Sequence, residues 1–406
     1  MPWAERTTME AKTKFIAAVL EDEESMTELC ERFEVSRTTG YELLRRYERE
    51  GVAAFEERSR APHRVPWAIT QAQQESILAL RDQHPHWGPK KLKAKLCKEA
   101  PTQQWPALST IGDLLQRQGR ITARRRKRRA YPSPMVLTPA LAPNAVWCID
   151  FKGWWRSGDG ERCDPLTLTD AYSRFLLCAQ LLDRCDYECS RRALERVFRE
   201  YGLPAVIRSD NGPPFASVGA GGLSHLAVWW VKLGILPERI APAQPQQNGR
   251  HERMHRTLKA ECAIPPASNR AAQQVRLNAF RTEFNHQRPH EALGQTPPAQ
   301  HYQPSLRSYP ARLADPVYPD DYESRRVRHN GELRWQGELV FLSEALCGEV
   351  IGLIENEDGD QEVYFGPLHL GTIDVVELTL RRSMPTSTVR RGGKPSSRSS
   401  QKLPKV

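Results

Sequence analysis

Apolar residues recur at helical spacing from Thr8 to Gly51: Phe15, Ile16, Val19 and Leu20, then Leu29 and Phe33, then Tyr41, Leu44 and Tyr47. That rhythm of threes and fours predicts a run of amphipathic helices. Ser25 and Glu28 have the spacing of a capping box and open the second helix. In "EVSRTTGYELLRRY" a short turn leads to Ser36, placed to cap a third helix that stops at Gly51. A short helix, a tight turn and a longer helix beginning with Arg37, Thr38 and Thr39 describe a helix-turn-helix; a plain helical bundle shares the pattern. Beyond the Pro-containing "RSRAPHRVP", Thr70 caps a helix to about Asp82, and "GPKKLKAKL" starts another with Lys90 and Lys91 in its first turn. Ser109 is expected to cap a third helix, ended by Gly119, which makes a second helix-turn-helix.

From Ala145 the period changes. "AVWCIDFKGWW", "PLTLTD", "FLLCAQLL" and "AVIRSD" read as strands, with the helix "CSRRALERVFREYG" before the fourth. That order predicts a mixed α/β sheet. "SDNGPPF" then reads as a turn whose Asn-Gly accepts positive φ. "HERMHRTLKAEC" and "AAQQVRLNAFRTEFNHQ" are helical, and from about Asp320 the signals are all β, with "HNG" and "EDG" turns joining the hairpins of a small barrel or sandwich. The chain thus divides into a helix-turn-helix domain (1–60), a second one (61–123), a basic Pro-rich linker (124–144), an α/β core (145–305), a small all-β barrel domain (320–382) and a basic tail expected to be disordered (383–406).

The net charge is +10, and its placement matters more than its size. "RRRKRR" at Arg124–Arg129 holds six basic residues, and Ser383–Val406 holds six more without an acid. Those twelve exceed the whole net charge, so the remainder is slightly acidic. Two basic strips favour a polyanion such as nucleic acid as partner. No apolar run approaches the length of a membrane span, and the N-terminus lacks an apolar signal segment. Nine Cys without a CxxC pair suggest reduced thiols in a cytosol. Neither "HPHW" nor the group Cys178, Cys185 and Cys189 has zinc-ligand spacing.

Three carboxylates stand out among 49 acidic residues. Asp150 interrupts an apolar strand, where a charge is costly unless it is paired or binds a metal. A strand-end salt bridge with Lys152 or an Arg is the plainer alternative. Asp210 ends a strand, and shaping the Asn-Gly turn is its plainer role. Glu252 lies on a helix, where an exposed acid is ordinary. Two strand-end acids and one helix acid can nonetheless converge in an α/β fold. Three carboxylates about 4 Å apart repel by roughly 4 kcal/mol per pair at an effective dielectric near 20. One or two hard divalent cations, Mg²⁺ or Mn²⁺, would remove that repulsion. Arg256 and Lys259 share the helix face of Glu252, where they could steer a DNA phosphate or simply pair with it.

"WCIDFKG", "TDAYSRF", "SDNGPPF", "QPQQNGRHERMHRTLK" and "FNHQRPHEALGQTPP", in that order over about 141–300, resemble the core of bacterial insertion-sequence transposases that share the retroviral-integrase (DDE) catalytic domain. The resemblance implies a multidomain α/β protein with helix-turn-helix modules, a ribonuclease-H-like core and a small all-β domain. It implies Asp150, Asp210 and Glu252 as catalytic metal ligands holding two Mg²⁺ or Mn²⁺ ions, and Arg256 and Lys259 as contacts to donor DNA. It also implies double-stranded DNA as partner, through Arg37, Thr38, Thr39, Lys90 and Lys91 at the terminal repeats, and a dimer or larger assembly in the bacterial cytoplasm. The 41 residues between Asp210 and Glu252 exceed the interval usual in retroviral relatives, with the surplus assigned to "SVGAGGLSH". Asp170 in the same motifs reads as structural, capping a turn or pairing with Arg174, and Glu261 falls on another side of the helix from Glu252. A DNA-binding repressor, or a domesticated element protein with an inactive core, is the rival reading.

Overall fold

The computed structural model describes residues 8–56, 69–121, 137–217, 219–241, 244–357, 359–374 and 377–382. The strip Arg124–Arg129 and the tail Ser383–Val406 lie outside the described residues. The chain divides into two compact units, Met1–Ile69 and Thr70–Val406.

In the first unit the helices are α1 (Thr8–Glu21), α2 (Met26–Arg32) and α3 (Arg37–Glu50). Ser25 and Glu28 form the reciprocal cap, the Ser25 amide donating to Glu28 Oε2 at 2.8 Å. Ser36 Oγ accepts the Thr39 amide at 3.2 Å, and Gly51 ends α3 at φ 60°. Phe15, Ile16, Leu29, Cys30 and Phe55 form the core. Arg37, Thr38 and Thr39 are exposed on the first turn of α3. Behind them Gly40 is buried, and a Cβ there would sit 2.7 Å from Cys30 Sγ and 3.0 Å from Phe15 Cζ. Only a missing side chain lets α3 approach α1 and α2 this closely.

The second unit opens with α4 (Gln71–Gln83), α5 (Pro89–Glu99) and α6 (Leu108–Arg117). Thr70 and Gln73 cap α4 reciprocally. Ser109 does not cap α6: the extended backbone of Ala107 takes the N-cap position, and its carbonyl already accepts the Ile111 amide at 3.1 Å. The first turn therefore closes around Ser109 and leaves it inside the helix.

Strands β1 (Val146–Phe151), β2 (Trp155–Arg156), β3 (Arg162–Cys163), β4 (Pro165–Asp170) and β5 (Leu176–Leu181) come next. They are followed by α7 (Tyr187–Tyr201), β6 (Val206–Ser209), α8 (His225–Lys232), β7 (Leu236–Arg239), α9 (Gly249–Cys262) and α10 (Arg270–His286). The main sheet runs β5-β4-β1-β6-β7. β1 pairs antiparallel with β4 and parallel with β6. A parallel pair needs a crossover, which α7 supplies. One face buries Trp147, Ile149, Leu166 and Leu168 with Ala193, Phe198 and Trp230 of α7 and α8. The other buries Ala179 and Leu181 under Met254, Leu258, Leu277 and Phe280 of α9 and α10. This is the mixed sheet between helical layers that the ribonuclease-H-like expectation requires. α5 meets the segment after α10, with Lys90 paired to Glu291 and Lys91 donating to the Pro289 carbonyl.

The all-β region comprises β8 (Glu323–Arg326), β9 (Glu332–Trp335), β10 (Glu338–Phe341), β11 (Val350–Glu355), β12 (Gln361–Phe365), β13 (Leu368–Asp374) and β14 (Thr379–Arg382). Its strands run β14-β13-β12-β11-β8 with β9–β10 as a separate hairpin. The five-stranded sheet thus has two free edges among the described residues, not the closed barrel expected. Nor does it stand apart: Trp335, Phe365, Leu370 and Ile373 belong to the apolar cluster that holds Trp147 and Trp230. The reason is α8, whose residues Leu226–Val231 are all buried. A helix apolar all round must be covered on every side. The Gly-rich segment also lies there, and a Cβ on Gly221 would meet Leu370 Cδ2 at 3.0 Å.

Gly40→Ala should destabilise the first unit by up to about 2 kcal/mol. The overpacking cost of about 1–3 kcal/mol outweighs the helix-propensity gain of about 1 kcal/mol. Amide hydrogen exchange in α1–α3 of the full chain measures this, and slower exchange would contradict it.

Candidate active site at the ends of two parallel strands

The parallel ladder pairs Val146 with Val206, Trp147 with Ile207 and Cys148 with Arg208. The same offset carried two residues further sets Asp150 beside Asp210. Two-residue steps keep the side-chain face, so both carboxylates leave the sheet on one side. Asp150 is a quarter exposed. Burial, and after it the negative charge of Asp210, lifts its carboxyl to about 7, with Glu252 adding to the same effect. The Lys152 bridge does not form: the basic group within ion-pair distance of Asp150 is the His255 ring, with Nδ1 3.7 Å from Oδ2.

Asp210 follows β6 and is half-buried. Its Oδ1 accepts the Gly212 amide at 3.2 Å, and the Asn211 side chain donates to the Ile240 carbonyl at 2.8 Å. Neither Asn211 nor Gly212 takes the positive φ expected of this turn. Those two side-chain bonds shape it instead.

Glu252 is exposed in the first turn of α9. What fixes it are its buried neighbours. Thr167 Oγ1 donates to the Asp150 carbonyl at 3.0 Å and also contacts Nε2 of His251 at 2.8 Å and Nε2 of His255 at 2.6 Å. A hydroxyl has one proton, and a carbonyl can only accept. With that proton on the carbonyl, both imidazoles donate to Thr167. His251 Nδ1 then accepts from Thr169 Oγ1 at 2.7 Å, and His255 Nδ1 is left bare toward Asp150. Both rings are neutral, because burial pulls His251 down to about 3 and pushes His255 further the same way. Thr167 and Thr169 sit opposite Asp150 and Cys148 on β4, so α9 is bolted to the strand pair that carries Asp150.

Arg256 and Lys259 are exposed on the Glu252 side of α9 and form no ion pair with it. The Lys259 charge, after burial, lowers Lys152. Lys90 is engaged by Glu291, and Lys91 is half-buried, pulled down to about 8 by that burial. Asp170 is structural, as expected: it accepts the Ser173 amide at 2.7 Å, Ser173 Oγ at 2.6 Å and the Asn144 amide at 2.8 Å, and it does not pair with Arg174. Glu261 holds the buried Arg288 at 2.6 Å. Among the described residues no three His, Cys, Asp or Glu side chains form a ready-made metal cage. Thr167, His251 and His255 were not singled out from sequence, although two His at i, i+4 beside Glu252 are a visible signal.

An integrase core domain matches residues 140–245 and 233–298, a helix-turn-helix domain residues 11–63 and a homeodomain-like domain residues 39–115. The chain is 26% identical over 260 residues to an uncharacterized 39.2 kDa protein of insertion element IS476 from Xanthomonas euvesicatoria, covering 64% of this chain and 72% of that protein. It is 29% identical to an uncharacterized 31.7 kDa protein of insertion element IS407 from Burkholderia multivorans, covering 46% of this chain and 66% of that protein. The catalytic core domain of BIV integrase is a weak structural likeness, 20% identical with a TM-score of 0.31, over 39% of this chain and 93% of the other. Residues 140–298 thus match the integrase core domain along their whole length. With helix-turn-helix matches ahead of that region, the chain is similar to proteins carried by insertion elements.

Thr167→Val keeps the shape but strands two buried imidazole donors, which should cost about 2–4 kcal/mol. Thr167→Ser should keep most of that stability. Urea unfolding with amide exchange in α9 measures both, and equal losses would refute the hydroxyl's role. The raised Asp150 carboxyl gives a sign for pH. Its folded state holds the proton above the ordinary carboxylate range, so without divalent cation this group's contribution falls as pH rises from about 4 to about 7. Asp150→Asn should remove that loss, worth on the order of 2–4 kcal/mol by pH 8. Parallel stability curves for the two proteins across this range would contradict it.

Proposed function

We propose that this chain is a DNA transposase. It binds the terminal inverted repeats of its element, cuts the phosphodiester at each end and joins the freed 3′-hydroxyl to target DNA. Asp150, Asp210 and Glu252 are its catalytic carboxylates. The observation that carries the reading is the parallel β1–β6 register running toward Asp150 and Asp210, together with the Asp210 charge felt by Asp150. The insertion-element relatives and the integrase core domain support the same class.

The donor set fits a hard divalent cation. Two carboxylates share one face of the sheet at an electrostatic cost, and a bare imidazole nitrogen faces one of them. Mg²⁺ or Mn²⁺, as two ions held by Asp150, Asp210 and Glu252, would neutralise the charge at the attacked phosphorus and sharpen the attacking oxygen. The protein's own part is positioning. The Thr167 network holds α9 so that Glu252 stays level with the strand pair. Arg256 and Lys259, beyond Glu252 on the same helix side, hold a phosphate of the donor strand. In the first step a water oxygen bonds to phosphorus, the P–O3′ bond breaks and the element's 3′-oxygen leaves with a proton. In the second that 3′-hydroxyl bonds to a target phosphorus, and a target 3′-oxygen leaves in turn. No covalent enzyme intermediate is needed.

Arg37, Thr38 and Thr39, on the exposed first turn of α3, read base edges in the major groove. Lys90 and Lys91 contact backbone phosphates, for which Lys91 must leave the Pro289 carbonyl. Residues 1–123 serve as the end-binding region and 145–305 as the catalytic core. Two ends must be brought together, so the working form is a dimer or larger, in the bacterial cytoplasm. Among the described residues no helix is long and apolar enough to cross a membrane.

Asp150→Asn, Asp210→Asn and Glu252→Gln should each lower cleavage of end-containing DNA at least about 10³-fold, with duplex binding kept. Double variants should be scarcely worse, because the groups act as a unit. Substantial Mg²⁺-dependent cleavage by any single variant would refute the assignment. Binding without cleavage by the unsubstituted chain would point to the repressor reading.

A further inference from the structure

Arg174 stands in the turn after β4 with φ 66°, a conformation that bulky residues rarely adopt. Its guanidinium donates to the Ala171 carbonyl. Arg250, in the first turn of α9, donates to the same carbonyl at 3.1 Å. Two cations thus converge on one neutral oxygen. Arg253 lies one turn further along α9, exposed. Burial first, then the charge of Arg250 and, more weakly, that of Arg253, pulls Arg174 down to about 10. The neighbouring acid, Asp170, is already committed to Ser173 and Asn144. Among the described residues none of the three arginines has a carboxylate at ion-pair distance.

Three guanidinium groups gathered without a paired acid repel one another, and an anion placed between them reverses the sign of that energy. Arginine forks suit phosphate oxygens. The placement on α9 is also telling. His251, Met254, His255 and Leu258 are buried against the sheet, and Glu252, Arg256 and Lys259 share a second side. Arg250 and Arg253 share a third, three residues apart. From there the positive field reaches α5, because Glu291, paired with Lys90, also feels Lys91 and Arg253.

We propose that Arg174, Arg250 and Arg253 form a phosphate-binding ridge for the backbone of duplex DNA, separate from the Arg256 and Lys259 stripe, which carries the duplex from the carboxylates toward α5. This rests on reading the chain as a DNA-binding protein.

The test is a salt titration of duplex binding by the full chain, without divalent cation, on random-sequence and element-end duplexes. The Arg250→Gln/Arg253→Gln double variant should bind both about 10–100-fold more weakly at 0.1 M salt. Its slope of log K against log salt should flatten by about 2, near 0.9 for each lost phosphate contact. The Arg250→Lys/Arg253→Lys double variant should keep most of the slope. The melting temperature of the Gln variant should not fall, since a repelling neighbour of Arg174 has gone. An unchanged slope, or a lowered melting temperature, would overturn the ridge and leave the arginines structural. A loss confined to element-end duplex would overturn it too, because phosphate contacts read no sequence. If the unsubstituted chain binds neither duplex, the transposase reading itself fails.

Discussion

The candidate site depends on one buried hydroxyl. Thr167 Oγ1 meets the Asp150 carbonyl and two imidazole rings, and each bond fixes the direction of the next. Without it, the buried polar joint between helix and sheet would shrink to the Thr169–His251 bond, since apolar contact resists separation but tolerates sliding. Glu252 is exposed and, among the described residues, no partner of its own holds it in register. The hydroxyl therefore does for the helix what the backbone ladder does for the two aspartates. It also explains why two histidines can be buried: each ring is neutral and fully engaged on the side facing Thr167.

The strand-end acids show the opposite economy. Side by side and partly desolvated, Asp150 and Asp210 oppose each other's charge, as do Lys152 and Lys259 beside them. Such tension concentrates where a protein handles charged substrates, since groups satisfied in the free state have little to offer a ligand. Rigid support around the site, from the β1–β6 ladder and the imidazole pair, keeps the tension from relaxing into local disorder.

Much of this could be read from the chain because it is local. Ser25, Ser36 and Thr70 cap helices as their spacing suggests, and Asp150 and Asp210 announce themselves by ending apolar strands. Ser109 misleads because an extended Ala107 takes the cap position ahead of it, and nothing in the residue types says which will win. Thr167 is invisible in "PLTLTD": its importance arises only when the β1–β4 register and the phase of α9 bring it to two histidines at once. Lys91 looks like a solvent-facing cation until the loop after α10 covers it. The "HNG" and "EDG" turns foretell hairpins, but a turn says nothing about whether the last strand meets the first.

The all-buried helix α8 has a consequence for how the protein is made. Its tryptophans share one apolar cluster with the main sheet and with residues as late as Ile373. Every acid of the site is synthesised well before that second cover exists. While the chain is still emerging, the core carries an open apolar flank, and such surfaces invite misassembly or chaperone capture. Structural maturity of the site thus waits for nearly the whole chain, so a prematurely ended product would be a poorly packed protein and not a shortened working one.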